Sequence, residues 1–372
     1  MSDTRPSKRH LDALDGIRGV AVLMVLLHNL NALSDTASLG RRLYDVAAGW
    51  GWLGVQLFFV LSGFLITGIL VDSRGDDGYY RNFVIRRALR IFPLYYAVLI
   101  VAFVVLPLVV GQSLPKSEHQ LWLWLYVENW AAPFGREVVG FSHFWSLSIE
   151  EQFYLVWPFV VLYCSRRRLW QVGIGLVVVG LASRVVFLFG SDVGPKAAYM
   201  FTVCRIDALA FGALAALAYR DEELMARFVR ARRRIRWAVL FVTMATVLTT
   251  KGAPRIGVLT QTYGYTLFGV LGALVVLDAA IERDESDWLV RAWSWAPLRS
   301  VGKYSYAMYV VHLPLHLAFG RRWLAAAVGR DVGVGIAVAY FVVGSAATYL
   351  VAMASYHLLE KHFLRLKQRF ST

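Results

Sequence analysis

The sequence predicts an all-α membrane protein that crosses the bilayer with about ten transmembrane helices and keeps both termini in the cytoplasm. Two observations support this fold class. Hydrophobic residues make up 58% of the 372 residues and the mean hydropathy is +0.52, whereas soluble domains are about 45–50% apolar. The apolar residues also fall into repeated runs of about twenty, the length that a helix needs to cross roughly 30 Å of hydrocarbon.

Ten such runs are interpreted as spans, which together form one membrane domain over residues 1–372. The fourth run contains Glu150 and Glu151, and the seventh is short. Short cytoplasmic tails are expected at 1–15 and 359–372, and no appended soluble domain is expected. The predicted spans are 16–34, 50–71, 91–111, 145–164, 170–190, 198–219, 236–250, 257–281, 303–320 and 332–358.

The basic residues indicate how the spans are oriented. With the N terminus in the cytoplasm, the cytoplasmic segments hold 26 Lys and Arg residues and the opposite loops hold 10. This is the asymmetry expected when positively charged loops stay in the cytoplasm. The formal net charge of +14 is then explained by topology and by contact with lipid head groups. Membrane lipids, and not nucleic acid, are therefore the expected partners of the basic residues.

The longest predicted outer loop, 112–144, contains the aromatic sequence LWLWLYVENW at 121–130. Ten residues are too few to cross a bilayer as a helix. The sequence therefore predicts either a helix in the membrane interface or a re-entrant cap over the outer ends of the spans.

The first span contains two ionisable residues, Arg18 and His28. Because a charge in the middle of a membrane is costly, such residues face the interior of the helix bundle or a water-filled cavity. A helix rises about 1.5 Å per residue, so His28 is expected near the midplane when Arg18 is at the cytoplasmic surface. A neutral imidazole is suited to general-base work. Two other interpretations stay open, namely Arg18 as a head-group anchor and His28 as a hydrogen-bonded packing residue.

Two further arginines open the third span on its cytoplasmic side, in RRALRIFP at 86–93. Arg87 and Arg90 are three residues apart, so they are neighbours on a helix. Guanidinium groups bind phosphate oxygens in a bidentate manner. The sequence predicts that this pair shares the cytoplasmic mouth with Arg18 and binds an anion there, while a role as interfacial anchors is the alternative.

The fourth predicted span begins with polar residues that lipid would not tolerate, in FSHFWSLSIEEQ at 141–152. Glu151 is expected about two helical turns in from the outer surface. A carboxylate at this depth would hold His28 in one tautomer and stabilise its protonated form. The alternative is a structural ion pair of Glu151 with Arg184 or Arg205.

Structural roles are expected for the other polar residues of the spans. His312 is interpreted as a packing or kink residue, and Ser62 with Gly63 as small residues that allow close approach of two helices. Arg205 and Asp207 are two residues apart, so they point to different faces and need separate partners. The sequence contains no P-loop, HExxH, cysteine-based metal site or GxSxG elbow, and no metal is expected.

Six segments together resemble acyltransferase family 3, a family of polytopic membrane proteins that use acyl-CoA. The resemblance covers nearly the whole chain, and the segments occur in the order that the family has them. They are IRGVAV followed by a histidine, FFVLSGFLIT, RRALRIFPLYY, HFWSLSIEEQFYLVWP, RIDALAFGALAA and VGKYSYAMYVVHLP.

The resemblance implies a ten-helix domain that transfers acyl groups, usually from acetyl-CoA, to hydroxyls of surface polysaccharides, peptidoglycan, lipid-linked sugars or macrolides. Arg18 and His28 match the arginine and histidine of the family's first span, with nine residues between them, one fewer than in some members. Arg87 and Arg90 match its RxxR pair, and Glu151 matches the second glutamate of its WSLxxEEQFY stretch. Many members append an SGNH-type hydrolase domain, which here would be absent or encoded separately as a periplasmic partner protein.

The residues and the resemblance together predict a multi-pass acyltransferase of the cytoplasmic (inner) membrane. Arg18, Arg87 and Arg90 are expected to hold the phosphates of acyl-CoA. His28, oriented by Glu151, is expected to take the proton from a hydroxyl of a polysaccharide or lipid-linked sugar. Transient acylation of His28 is an open alternative for the mechanism, and a secondary metabolite such as a macrolide is an alternative acceptor. A proton-coupled transporter or flippase is the alternative from a different functional class.

Overall fold

The computed structural model describes residues 12–31, 38–111, 117–281, 287–320 and 333–370. The described residues are largely helical and contain no β-strand. Ten of their helices overlap the ten predicted spans. They are α1 (Asp12–Asn29), α2 (Leu53–Asp72), α3 (Tyr79–Ile100), α4 (Trp145–Tyr163), α5 (Arg166–Gly190), α6 (Thr202–Tyr219), α7 (Glu222–Thr249), α8 (Tyr265–Ala280), α9 (Ser305–Leu315) and α10 (Val334–Ser355).

Six helical stretches of the described chain are long and apolar enough to cross a membrane. They confirm the predicted class, an all-α multi-pass membrane protein, while the count of ten spans stays a prediction. The six stretches are Leu39–Asp72, Tyr79–Val109, Arg166–Gly190, Gly194–Tyr219, Thr260–Ala280 and Val334–Phe370.

The helices outside this set are polar or short. α1 carries three charged residues within 18, and the charged arginines of α7 occupy much of its first half. The run from Glu150 to Gln152 lowers the hydropathy of α4. α9 and its π-helical continuation, His316–Gly320, have too few described residues to span. Polar side chains within α1 and α4 fit a cavity-lining position and not a lipid-facing one.

Two helices are longer than the sequence predicted. α7 unites the charged segment before residue 236 with the seventh predicted span in one 28-residue helix. Arg236 of this helix is neutralised, because it pairs with Asp278 at 3.0 Å and with Asp287 at 2.7 Å. The final helix continues past the predicted end at 358, through a π-helical turn, to Phe370. In both places the chain contains no proline or glycine that would stop a helix.

Burial separates central helices from peripheral ones. In the stretches that contain α2 and α6, 67% of the most apolar 18-residue segment is buried within the protein. In the stretches that contain α5 and α10, the buried share of the corresponding segment is 17%. Exposed apolar side chains on the peripheral helices, such as Val186 and Val343, are those expected to face lipid. Of these central helices, α2 lines both cavities of the candidate site.

The contact between α2 and α6 depends on two glycines. A Cβ atom at Gly63 would lie 2.0 Å from the carbonyl oxygen of Leu209, and one at Gly212 would lie 2.1 Å from that of Val60. Small residues that let two backbones approach in this way are typical of membrane helix pairs. The close approach predicted for Gly63 is therefore confirmed.

We expect Gly63→Ala to lower the thermal unfolding midpoint of the detergent-solubilised protein. The added methyl group has no room beside the Leu209 carbonyl, and overpacking of this kind costs about 1–3 kcal/mol. Gly175→Ala is the matched control, because a Cβ at Gly175 has no neighbour within 4 Å. Equal midpoints for the two variants would show that the α2–α6 contact tolerates a side chain.

The buried charges of α5 and α6 have partners. Arg184 pairs with Asp207 at 2.8 Å, and both side chains are buried. Arg205 donates to Gln56 Oε1 at 2.6 Å, and its guanidinium lies 4.2 Å from the centre of the Tyr265 ring. Arg205 and Asp207 thus have separate partners, as predicted. The two arginines that could have neutralised Glu151 are occupied by other groups.

The aromatic segment 121–130 is hydrogen-bonded to two helices of the bundle. It contains two single-turn helices, Leu121–Trp124 and Glu128–Ala131. Tyr95 of α3 donates its hydroxyl to the Leu123 carbonyl at 2.8 Å, and Gln152 of α4 donates to the Tyr126 carbonyl at 2.9 Å. These bonds to backbone oxygens tie the segment to α3 and α4, and both alternatives, the interfacial helix and the re-entrant cap, stay predictions.

Candidate active site

One cavity is lined by side chains of α1, α2, α3, α4 and α9. It encloses about 750 Å³ of empty space, part of it open to solvent, and we call it the arginine cavity. Its polar lining consists of Arg18, Ser62, Arg87, Arg90, Ser146, Glu150, Glu151, Tyr154, Ser305, Tyr306 and Tyr309. The structure thus brings together three arginines from two helices that are distant in sequence.

The three arginines differ in how they are neutralised. Arg18 forms an ion pair with Asp15, three residues earlier on α1, at 2.8 Å. The guanidinium of Arg87 lies 5.8 Å from the ring centre of Tyr154. Within the described part of the chain, neither Arg87 nor Arg90 has a carboxylate oxygen within 4.0 Å. Two guanidinium groups are therefore available to bind an anion, since arginine donates in a geometry that fits phosphate oxygens.

A hydrogen-bonded group in the same cavity was not predicted from the sequence. Ser62 donates to the Glu150 carboxylate, and Tyr154 donates to the Ser62 hydroxyl at 3.1 Å. Ser62 therefore faces the cavity, whereas its neighbour Gly63 makes the helix contact. One signal was present in the sequence, because Glu150 and Tyr154 are four residues apart and so share a face of α4.

His28 lines a second cavity, which we call the histidine cavity. It contains about 550 Å³ of empty space, part of it open to solvent. The lining includes four aromatic side chains, Trp52, Trp145, Tyr199 and Tyr309, and the polar side chains of His28, Asn29, Glu137, Ser142, His143 and Arg255. His28 is one residue before the end of α1, and its predicted depth near the midplane of the membrane stays a prediction. The helix ends at Asn29, earlier than the predicted residue 34.

A backbone group orients the His28 ring. Its Nδ1 atom lies 2.9 Å from the carbonyl oxygen of Ala48. Because a carbonyl oxygen only accepts, Nδ1 carries the hydrogen, and Nε2 of the neutral ring keeps its lone pair. Gly51 leaves room for this arrangement, since a Cβ there would lie 2.6 Å from the His28 Cβ. The geometry supplies a fixed tautomer with one nitrogen free to accept a proton.

Glu151 does not occupy the position predicted for it. It lines the arginine cavity with Arg87, whereas His28 lines the other cavity. The group at Nδ1 of His28 is the Ala48 carbonyl. The sequence showed that a carboxylate lies on the polar face of α4, but the direction of that face depends on how α4 packs.

A second histidine in the histidine cavity is a poorer base. His143 lies just before α4, with its Nε2 3.3 Å from the Val310 carbonyl, and its Nδ1 is buried without a hydrogen-bond partner in the described structure. Burial and, second, the nearby His312 lower the pKa of His143 well below its usual value. His312 is buried too, and its Nε2 is 3.0 Å from Asn29 Nδ2, which suits the packing role predicted for it.

Comparison with known proteins identifies a family. The family described as "Acyltransferase domain" matches residues 11–357. "Peptidoglycan O-acetyltransferase OatA" of Listeria monocytogenes is 29% identical over 84% of this chain and 50% of its own length. "Putative peptidoglycan O-acetyltransferase YrhL" of Bacillus subtilis is 30% identical over 95% of this chain and 55% of its own length. The chain spans about half the length of these curated relatives, and no solved structure matches it significantly.

Proposed function

The chain belongs to the acyltransferase-domain family, and on that premise we propose that it is an O-acyltransferase of the cytoplasmic (inner) membrane. The proposed donor is cytoplasmic acyl-CoA, most of all acetyl-CoA. The proposed acceptor is a hydroxyl of a cell-surface polysaccharide, such as peptidoglycan, or of a lipid-linked sugar. The observation that carries the proposal is the adjacency of a cavity with two arginines that form no ion pair in the described chain and a cavity with an oriented histidine.

The arginine cavity is proposed to hold the nucleotide end of acyl-CoA. Its phosphates carry several negative charges, and Arg87 and Arg90 have no competing carboxylate within 4.0 Å in the described chain. Arg18 adds a third positive group on α1. A pantetheine arm reaches roughly 15–20 Å by its covalent geometry. This is comparable to the rise of about 15 Å between Arg18 and His28 along a helix, so the thioester can approach the histidine cavity while the phosphates stay on the arginines.

The histidine cavity is proposed to hold the acceptor hydroxyl. Aromatic faces of Trp52, Trp145 and Tyr199 suit the C–H face of a sugar ring, and the side chains of Asn29 and Arg255 suit its hydroxyl groups. The site therefore combines apolar surface with a few polar groups, as sites for small polar ligands do. The relatives named as peptidoglycan O-acetyltransferases support an acceptor of this class.

In the proposed reaction His28 acts as general base. The acceptor hydroxyl gives its proton to Nε2 of His28, and its oxygen forms a bond to the carbonyl carbon of the thioester. The carbon–sulfur bond then breaks, and CoA leaves as a thiolate. The proton on Nε2 is released afterwards. The Ala48 carbonyl keeps the ring in the required tautomer throughout.

Glu151 is proposed to act on the acyl donor and not on His28. Because Glu151 lines the arginine cavity, it is placed on the donor side and not beside His28. We propose that its carboxyl group, protonated at the start, donates a proton to the thiolate sulfur of the departing CoA. A proton from solvent in the arginine cavity then restores the carboxyl group and balances the proton that His28 releases. Ser62, Glu150 and Tyr154 form the hydrogen-bonded wall next to it.

The experiment that tests the proposed function uses the purified full chain in lipid vesicles. We expect the label of acetyl-CoA that carries a labelled acetyl group to appear in a polysaccharide or lipid-linked sugar acceptor. One free thiol should be released for each acetyl group transferred. Uptake of solute without CoA, and no label transfer, would favour the transporter alternative and contradict the proposal. Mass spectrometry of surface glycans with and without the gene would identify the acceptor, and an unchanged glycan would exclude surface polysaccharide.

A further inference from the structure

The two cavities share part of their walls. Two side chains, Val55 of α2 and Tyr309 of α9, line both of them. Val55 is 6% exposed and Tyr309 is 5% exposed, so each is close to fully packed. A group that passes from the arginine cavity to the histidine cavity has to pass these two side chains, which we call the partition.

Tyr309 is held in place by hydrogen bonds. Its hydroxyl donates to the His143 carbonyl at 2.9 Å and shares a second bond of 2.6 Å with the hydroxyl of Ser146. The ring also makes an edge contact with Phe58, at 6.1 Å between centres. Rotation of the ring out of the partition would break both hydrogen bonds of its own buried hydroxyl group, which is costly.

The side chain of Val55 has little rotational freedom. A β-branched side chain in a helix has one strongly preferred rotamer, and Val55 is the third residue of α2. Neither side of the partition can therefore move aside easily. The isopropyl group of Val55 and the phenol of Tyr309 are the side chains that both cavities share as lining.

We infer that Val55 and Tyr309 form a size filter that limits the transferred acyl group to a short chain, with acetyl transferred best. This inference depends on the proposed function. If the nucleotide lies on Arg87 and Arg90 and the hydroxyl lies beside His28, the thioester carbon is attacked at the partition. The carbons of the acyl chain must then fit beside Val55. When two substrates differ by one methylene group in such a pocket, their kcat/KM values differ by about 10- to 200-fold.

The test compares acetyl-, butyryl- and hexanoyl-CoA as donors for the full chain in vesicles. We expect kcat/KM of the unmodified protein to fall at least about 10-fold from acetyl to butyryl. In Val55→Ala, which removes two methyl groups from the partition, the ratio of butyryl to acetyl should rise about 10-fold. The matched control is Leu147→Ala. Leu147 lines the arginine cavity alone, so its truncation should leave the ratio unchanged whatever it does to the absolute rate.

A second variant closes the partition. Val55→Phe is expected to reduce acetyl transfer by more than about 100-fold and to leave the dissociation constant of CoA unchanged, because the nucleotide binds at the arginines. Loss of both CoA binding and transfer would mean that the larger side chain disturbs the fold. The ratio of butyryl to acetyl transfer in Val55→Ala would then decide whether the partition is a size filter.

The outcomes separate the two proposals. If the unmodified protein transfers no acyl group from any acyl-CoA, the proposed function is wrong. If it transfers acetyl, but hexanoyl equally well, or if Val55→Ala keeps the unmodified ratio of butyryl to acetyl, the filter is wrong and the proposed function stands.

Discussion

His28→Ala is expected to lower acyl transfer by about 100- to 10,000-fold, which is the range for loss of a general base. The protein should still insert into the membrane and bind CoA, because His28 lines the histidine cavity and not the arginine cavity. Turnover with labelled acetyl-CoA and a separate CoA-binding titration measure the two effects. A change confined to turnover would place His28 in the chemical step.

Two further variants distinguish a chemical role of His28 from a structural one. His28→Gln offers an amide that can donate to the Ala48 carbonyl but cannot act as a base near neutral pH, so we expect it to be about as inactive as His28→Ala. His357→Ala is the matched control, since His357 is exposed on the last helix and lines neither cavity. Recovery of activity in His28→Gln would assign the residue to packing.

Replacing both Arg87 and Arg90 with alanine is expected to weaken CoA binding by roughly 100-fold or more. Each charge-assisted hydrogen bond to phosphate contributes about 1.5–3 kcal/mol, and every 1.4 kcal/mol is about tenfold in affinity. Titration of the purified protein with CoA measures the loss. Affinity of the unmodified protein should also fall as salt concentration rises, because phosphate and guanidinium charges are screened.

The control for the arginine pair is Arg86→Ala. Arg86 is on the same turn of α3 but does not line the cavity, so its loss should change CoA affinity less than threefold, about 0.6 kcal/mol. Arg87→Lys is informative as well, because lysine keeps the charge but loses the planar donor pair. If the double variant binds CoA as tightly as the unmodified protein, the arginine cavity is not the donor site.

The placement of the three arginines could be predicted in part from the sequence. Their position at the cytoplasmic ends of the first and third predicted spans suggested that they share one mouth, and helix spacing put Arg87 and Arg90 side by side. Convergence with Arg18 was a hypothesis from topology, and in the structure all three line one cavity. Such residues are predictable because lipid excludes charge, so that their direction is fixed before any packing detail is known.

The partners of the polar groups were less predictable. The sequence offered Glu151 as the group that orients His28, but the structure has the carbonyl of Ala48 there. Every residue has a carbonyl oxygen, so no residue type marks the one that accepts this bond. Likewise, Ser62 and Glu150 are 88 residues apart in the chain, and their contact depends on how α2 packs against α4.

The sequence by itself determined that this protein is helical, lies in the membrane and keeps a small set of ionisable side chains out of contact with lipid. These properties follow from the length of its apolar runs and from the cost of charge in hydrocarbon. Only the tertiary structure decided that these side chains fall into two cavities, with Val55 and Tyr309 between them. The physical reason is that helical periodicity fixes which residues share a face, whereas the packing of one helix on another fixes what that face meets.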